Sequence, residues 1–216
     1  MIVDNFEQIK KLLVFESEDH FYHLSILKRK KDCPEHERGQ NNNARCIKTY
    51  YIKNLDYLDS KKDEIIGLCE MFNARAYINL NTKSFEKASL RTIAQITDRV
   101  IFKQFDHVYR AYETVVGGSD VNIGDKKWII DIDTKDYELV LRTIHEICKC
   151  QSKQIIDSTI INNTFYQNVI DVIPTKSGYH IITHPFNLKQ IEPFRCINPF
   201  DVQKNNPTVI YYNDGQ

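Results

Sequence analysis

The spacing of apolar residues changes several times along the chain, and each change predicts an element. Residues 4 to 14 read as a helix, residues 20 to 30 and 46 to 53 as strands, and residues 56 to 72 as a second helix. Between the first two strands, Gln40-Asn41-Asn42-Asn43 reads as a polar loop. Residues 74 to 81 then read as a strand. A helix follows from about Ser84 to Lys103, with Ser84 as its cap and Glu86 at its positive end. Helical pattern continues from Asp106 to Thr114 until Gly117-Gly118-Ser119-Asp120 breaks it. Trp128 to Thr134 is an apolar run closed by acids, the form of a buried strand. Tyr137, Val140, Leu141, Ile144, Ile147 and Cys148 recur at helical spacing behind Thr134, a candidate cap. Strand-like runs near 154 to 161, 168 to 173, 178 to 183 and 207 to 212 complete the chain, with no second long helix expected among them.

Composition sets bounds on this picture. With 216 residues, 42% of them apolar, twelve tyrosines and eleven phenylalanines, the chain can bury a real core. No apolar run approaches the roughly twenty residues that span a bilayer, and Met1 to Glu7 carries no secretory pattern, so the expectation is a cytoplasmic protein with no membrane contact. Six cysteines without Cys-x-x-Cys spacing are expected as free thiols. Cys33, His36 and Cys46 could supply three ligands to zinc, but no fourth is visible. Basic and acidic residues balance at 29 each, so the chain as a whole is no electrostatic DNA binder. Locally, residues 28 to 53 are basic and aromatic: Lys28, Arg29, Lys30, Arg45 and Lys48 surround Tyr50 and Tyr51. That segment reads either as a track for a phosphate backbone or as a solvated hairpin whose lysines protect its edges.

Candidate chemistry concentrates in the second half. Asp131-Ile132-Asp133 ends a strand, and alternation sets both carboxylates on one face. Such a pair either holds divalent cations or marks a strand that stops in solvent beside a helix cap. Some forty residues later, Pro174-Thr175-Lys176-Ser177-Gly178-Tyr179-His180 reads as a hairpin loop with His180 just inside the returning strand. Lys176, Ser177, Gly178 and His180 form either a triphosphate cradle or an ordinary hairpin. Lys83, at a strand-to-helix junction, is a lesser candidate for a phosphate contact, with simple exposure the plainer reading. Tyr179, Phe186, Phe194 and Phe200 read as core or rim packing.

Together the two motifs resemble the catalytic core of the archaeo-eukaryotic primase (AEP) superfamily, which includes the primase-polymerases of phages and plasmids. The family's hydrophobic-Asp-hydrophobic-Asp strand matches Ile130-Asp131-Ile132-Asp133. Its Ser-x-His element matches Ser177-Gly178-Tyr179-His180, with one extra residue. A third acid before the final strand matches Asp201, with Asp214 as the competing choice. The resemblance spans Trp128 to Tyr212. It implies that Asp131, Asp133 and Asp201 ligate two Mg²⁺ or Mn²⁺ ions, about 3.5–4 Å apart in such sites. Lys176, Ser177, Gly178 and His180 would then meet the triphosphate.

The implied activity is template-directed nucleotidyl transfer by a DNA primase or primase-polymerase in DNA replication. Nucleoside triphosphates and single-stranded DNA or primer-template would be its substrates, and a replicative helicase its candidate partner. The alternatives are a non-synthesising nucleotide- or nucleic-acid-binding accessory of the same fold, and a two-metal phosphodiesterase or nuclease. The β-α-β-β order around the motifs agrees with an α/β (α+β) fold in one domain. Residues 1–120 form its N-terminal α/β lobe. That lobe packs on an RRM-like (RNA-recognition-motif-like) antiparallel lobe, residues 121–216, which carries the acidic site.

Overall fold

Asn54 and Ser84 both stand where a helix must begin, and both cap one. Asn54 accepts a hydrogen bond from the Tyr57 backbone and Ser84 from that of Lys87. These contacts come from a computed structural model that describes residues 1–30, 33, 44–151 and 168–213. The expected strand at 154 to 161, the asparagine loop, His36 and Asp214 lie outside the described residues. The chain divides into two units, one of Met1–Gly124 with the strand residues from Val209, the other of Asp125–Thr208. The fold is mixed α/β with antiparallel sheets, and six α-helices are present among the described residues. None of those helices is long and apolar enough to cross a membrane.

In the first unit, β1 (Ile2–Asp4), β2 (His20–Arg29), β3 (Ala44–Ile52) and β4 (Arg75–Ile78) share a sheet with β10 (Thr208–Asn213), in the order β1-β10-β4-β2-β3. A short β5 (Lys83–Ser84) pairs separately with β2. The helix expected over residues 4 to 14 is shorter, α1 (Phe6–Lys10); it starts late because Ile2–Asp4 pairs with β10. Helix α2 (Leu55–Phe72) buries Leu58, Ile65 and Cys69 and ends at Asn73, whose φ of 46° is a left-handed cap. Helix α3 (Phe85–Ile101) leads through a 3₁₀ turn, Phe105–Arg110, to α4 (Ala111–Gly117). Phe21, Ala88, Val116 and Val121 form the core beneath them.

The second unit holds β6 (Trp128–Ile132), α5 (Tyr137–Lys149), β7 (Val169–Pro174), β8 (Tyr179–Thr183), α6 (Leu188–Ile197) and β9 (Asp201–Gln203). Its strands lie in the order β7-β8-β6-β9, antiparallel at every junction. Trp128, Ile130 and Ile132 face one core with Val140, Ile147, Ile181, Phe186 and Phe200. Each such side chain contributes roughly 1.5–3 kcal/mol by leaving water. Asp136, rather than Thr134, caps α5, accepting from the backbones of Glu138 and Leu139. At the other end of α5 the buried Asn168 amide donates to the carbonyls of Ile147 and Cys150, tying the helix terminus to the start of β7.

Two expectations are corrected here. A helix does stand between β8 and the last strands: α6, capped by Asn187, carries Pro193 in its interior and buries Ile191. Proline at that position removes one backbone donor, which is why the segment does not read as helical. The strand expected at 207 to 212 is β10, and it joins the sheet of the first unit between β1 and β4 rather than the sheet that carries the acids.

Candidate functional site

Alternation along β6 turns Ile130 and Ile132 toward the core and Asp131 to the opposite face. Asp131 is register partner to His180 on β8 and to Asp201 on β9. Direct cross-strand partners share a face, with Cα atoms roughly 4.5–5.5 Å apart. Three adjacent strands therefore present Asp201, Asp131 and His180 in one row. Asp133 follows just beyond the end of β6 and is exposed.

The Asp131 carboxylate is held on both sides. Its Oδ1 lies 3.3 Å from His180 Nε2, and its Oδ2 accepts from Gln203 Nε2 at 2.9 Å. On the far side of the imidazole, His180 Nδ1 lies 2.8 Å from Thr208 Oγ1. His180 and Thr208 are buried, whereas Asp131 keeps about a fifth of its side chain in solvent (21%). A histidine nitrogen facing a carboxylate must carry the proton to bond it. In the neutral ring, Nε2–H thus donates to Asp131 and Nδ1 accepts from the Thr208 hydroxyl, an assignment that follows from the hydrogen-bond network.

Beside this row opens a cleft of about 350 Å³, lined by Asp131, Asp133, Asp201, Glu192, Arg195, Cys196, Pro199 and Phe200. Four of these are acids. Arg195 is their single basic companion: its Nε donates to the Phe200 carbonyl at 2.9 Å and its Nη1 lies 3.7 Å from Glu192. Oxygen donors of this kind suit hard divalent cations. Among the described residues, however, no group of three or more His, Cys, Asp or Glu side chains is drawn together as a metal cage.

The hairpin loop 175–178 is closed by the Thr175 backbone N–H donating to the Gly178 carbonyl, and by Gly178 N–H donating to Thr175 Oγ1. A Cβ on Gly178 would stand 1.9 Å from the Ile132 carbonyl and 2.7 Å from the Thr134 backbone. The glycine is needed for packing against the end of β6, and that contact fixes the loop beside the acidic strand end. Lys176 is half-buried, Ser177 is exposed, and neither lines the cleft.

The basic set lies in the first unit. Lys28 is opposite Arg45 across the β2–β3 pair. Arg29 donates to the Tyr77 hydroxyl at 3.2 Å, Lys48 is ion-paired with Glu64, and Lys30 is half-buried just after β2. Arg45 and Lys48 are the exposed members. Of the zinc candidates, Cys33 is buried and bonds the Arg29 carbonyl, while Cys46 is exposed beside Thr49. Lys83 is fully buried, contrary to the plainer reading of it as exposed. Its ammonium donates to the Gly118 carbonyl at 2.9 Å and to Asn122 Oδ1 at 2.7 Å, and burial pushes its pKa down to about 8.

Sequence reasoning missed Gln203, Thr208, Glu192 and Arg195. Gln203 lies two residues after Asp201 and so shares its face, but only a recognised β9 makes that visible. The other three depend on the path of α6 and on the start of β10. No family model, curated protein or solved structure matches the chain.

Proposed function

We propose that this chain is a metal-dependent nucleotidyltransferase of the primase or primase-polymerase type, as its resemblance to the archaeo-eukaryotic primase superfamily suggests. The observation that carries the proposal is the row Asp201–Asp131–His180 on three adjacent antiparallel strands, with Asp133 on the same cleft. The element order β-α-β-β-α-β with strands in the order β7-β8-β6-β9 supports an RRM-like reading of this unit. Motif acids on its first and last strands and a motif histidine on its third accord with that family.

The donor set fits Mg²⁺ or Mn²⁺, which Asp131, Asp133 and Asp201 would hold. When bound, such ions lower the pKa of an attacking hydroxyl and neutralise charge on the leaving pyrophosphate. The chain's own part is positioning. Gln203 and His180 fix the Asp131 carboxylate on the open face, while Asp133 and Asp201 stay solvent-facing on the cleft. Thr208 holds the imidazole so that Nε2–H points toward the acids. A small turn of Asp131 away from His180 frees that N–H for a phosphate oxygen, beside the loop of Lys176 and Ser177. Positioning of this sort, with charge neutralisation, carries most of phosphoryl-transfer catalysis.

A non-synthesising accessory that binds nucleotide or nucleic acid is the second reading, favoured by the closed Asp131–His180–Gln203 bonding. The experiment that separates them is incorporation of labelled nucleotides on single-stranded DNA with Mg²⁺ or Mn²⁺, with and without primer, in wild type and Asp133→Ala. Extension by wild type that is lost in the variant supports the polymerising site, and product without primer makes it a primase. Binding of triphosphate or DNA without product moves the accessory reading ahead. Degradation of the template would make the same acids a nuclease site.

A further inference from the structure

Helix α3 packs on its own chain with one face and exposes an aliphatic stripe on the other. The inward face is Ala88, buried, with Phe85, Thr92, Gln95, Ile96 and Arg99 half-buried; α4 and the 3₁₀ turn pack against the helix. On the outer face Leu90 is 60% exposed, Ile93 62%, Val100 48% and Ile101 66%. A surface helix normally turns its large aliphatics to the core. Isolated exposed apolar residues are ordinary, but four on one stripe of one helix mark an interaction surface.

We infer that α3 is a self-association surface, on which a second copy of this chain lays its own α3 antiparallel to form a two-fold dimer. The spacing is that of a coiled-coil seam, with Leu90 and Thr97 at one core position and Ala94 and Ile101 at the other. Antiparallel pairing about a centre near residues 95 and 96 sets Leu90 against Ile101 of the second copy and Ala94 against Thr97. Beside the seam it sets Ile93 against Val100. On the other flank it sets Arg91 against Asp98, and symmetry makes that ion pair twice. Arg91 and Asp98 are both exposed. A parallel pair would instead bring Ile93 beside Asp98, so charge and apolar patterning both select the antiparallel arrangement. The seam is short, since a helix of 17 residues is roughly 25 Å long, which suits a reversible dimer.

Sedimentation equilibrium of the whole chain tests this, with Arg91→Asp and Asp98→Arg as variants and circular dichroism as the check on folding. Wild type is expected to dimerise with a dissociation constant on the order of 10 µM. Each single reversal places like charges opposite one another twice and weakens self-association by about tenfold or more. An equimolar mixture of the two variants restores complementary pairs and forms a heterodimer about as tight as wild type. A wild-type chain that stays monomeric overturns the inference and leaves the stripe to a different protein. So does a dimer indifferent to both reversals, or a mixture no tighter than either variant alone.

Discussion

Asp131 and His180 are register partners on β6 and β8, and the His180 Nε2 stands 3.3 Å from Asp131 Oδ1. The pair joins the two motifs that the sequence separates by about fifty residues. Each side chain has a second partner, Gln203 for the acid and Thr208 for the base, so the orientation of the row is enforced from both ends.

Removing the acid separates chemistry from folding. In Asp131→Ala, His180 and Gln203 each lose one hydrogen-bond partner at a site already open to water on one side. Stability should fall by about 1–3 kcal/mol. If the chain transfers nucleotides as proposed, metal-dependent incorporation should fall by a hundredfold or more, a magnitude of about 3 kcal/mol in transition-state stabilisation. Urea unfolding alongside the incorporation assay checks both. A loss of several kcal/mol in stability would make the acid structural.

Gly178→Ala tests the contact that sets the loop. The added methyl would overlap the Ile132 carbonyl at 1.9 Å, so either the hairpin or the end of β6 must move. Overpacking of this kind costs about 1–3 kcal/mol. Because the displaced atoms, in Ile132 and Thr134, flank Asp133, the variant should, if the site acts as proposed, also lose activity beyond what its stability explains. Thermal unfolding midpoints and activity measured well below the transition distinguish the two effects. A variant as stable and as active as wild type would show that the loop is not held this way.

These residues show how far local pattern reaches. β6 and β8 are legible because each is an apolar run with a motif at one end, α2 by the helical pattern of residues 56 to 72, and α3 by that pattern with Ser84 as a cap at its start. β9 has only three residues and was invisible. Helix α6 was hidden by Pro193 and by the breakers around it, His184-Pro185 and Asn198-Pro199. The strand expected at 207 to 212 corresponds to β10, but a period of two says nothing about which sheet a strand joins. Gly178 reads as a turn residue, although the carbonyl it accommodates lies in another strand and leaves no trace nearby in sequence. Lys83 reads as exposed for the same reason: its acceptors at Gly118 and Asn122 are more than thirty residues away.

Two bases in the first unit, the half-buried His23 and the buried Lys83, give stability a defined pH dependence. Burial, with the nearby Lys83 charge adding to it, pushes the His23 pKa from 6.5 down to about 4. The unfolded chain therefore takes up a proton that the folded chain refuses, and stability falls as pH drops from 6.5 toward 4. Lys83 titrates at about 8 rather than 10.5, so over that interval the unfolded chain again holds more protons and stability rises with pH. Lys83→Met should abolish the alkaline rise. It should also destabilise the chain by about 2–4 kcal/mol at neutral pH, because the Gly118 carbonyl and Asn122 lose their donor. Urea midpoints across the pH range test this, and an alkaline rise that survives in the variant would assign it to another group.

Thr208 acts on the site through His180. Its hydroxyl lies 2.8 Å from Nδ1, and both residues are buried, so no water can replace it without rearrangement. Thr208→Val keeps the shape and removes the donor, leaving Nδ1 unsatisfied and the ring free to exchange tautomers or rotate. Loss of one buried hydrogen bond costs about 1–2 kcal/mol in stability. The orientation of Nε2–H is lost with it. If His180 meets the triphosphate as proposed, the nucleotide KM should rise several-fold, with a smaller fall in kcat, because ground-state and transition-state contacts to the phosphates weaken together. Thr208→Ser retains the hydroxyl and should retain both parameters. Steady-state kinetics on the pair, read beside their unfolding curves, decide the matter: equal kinetics in the valine and serine variants would show that Thr208 supports the fold and leaves nucleotide recognition untouched.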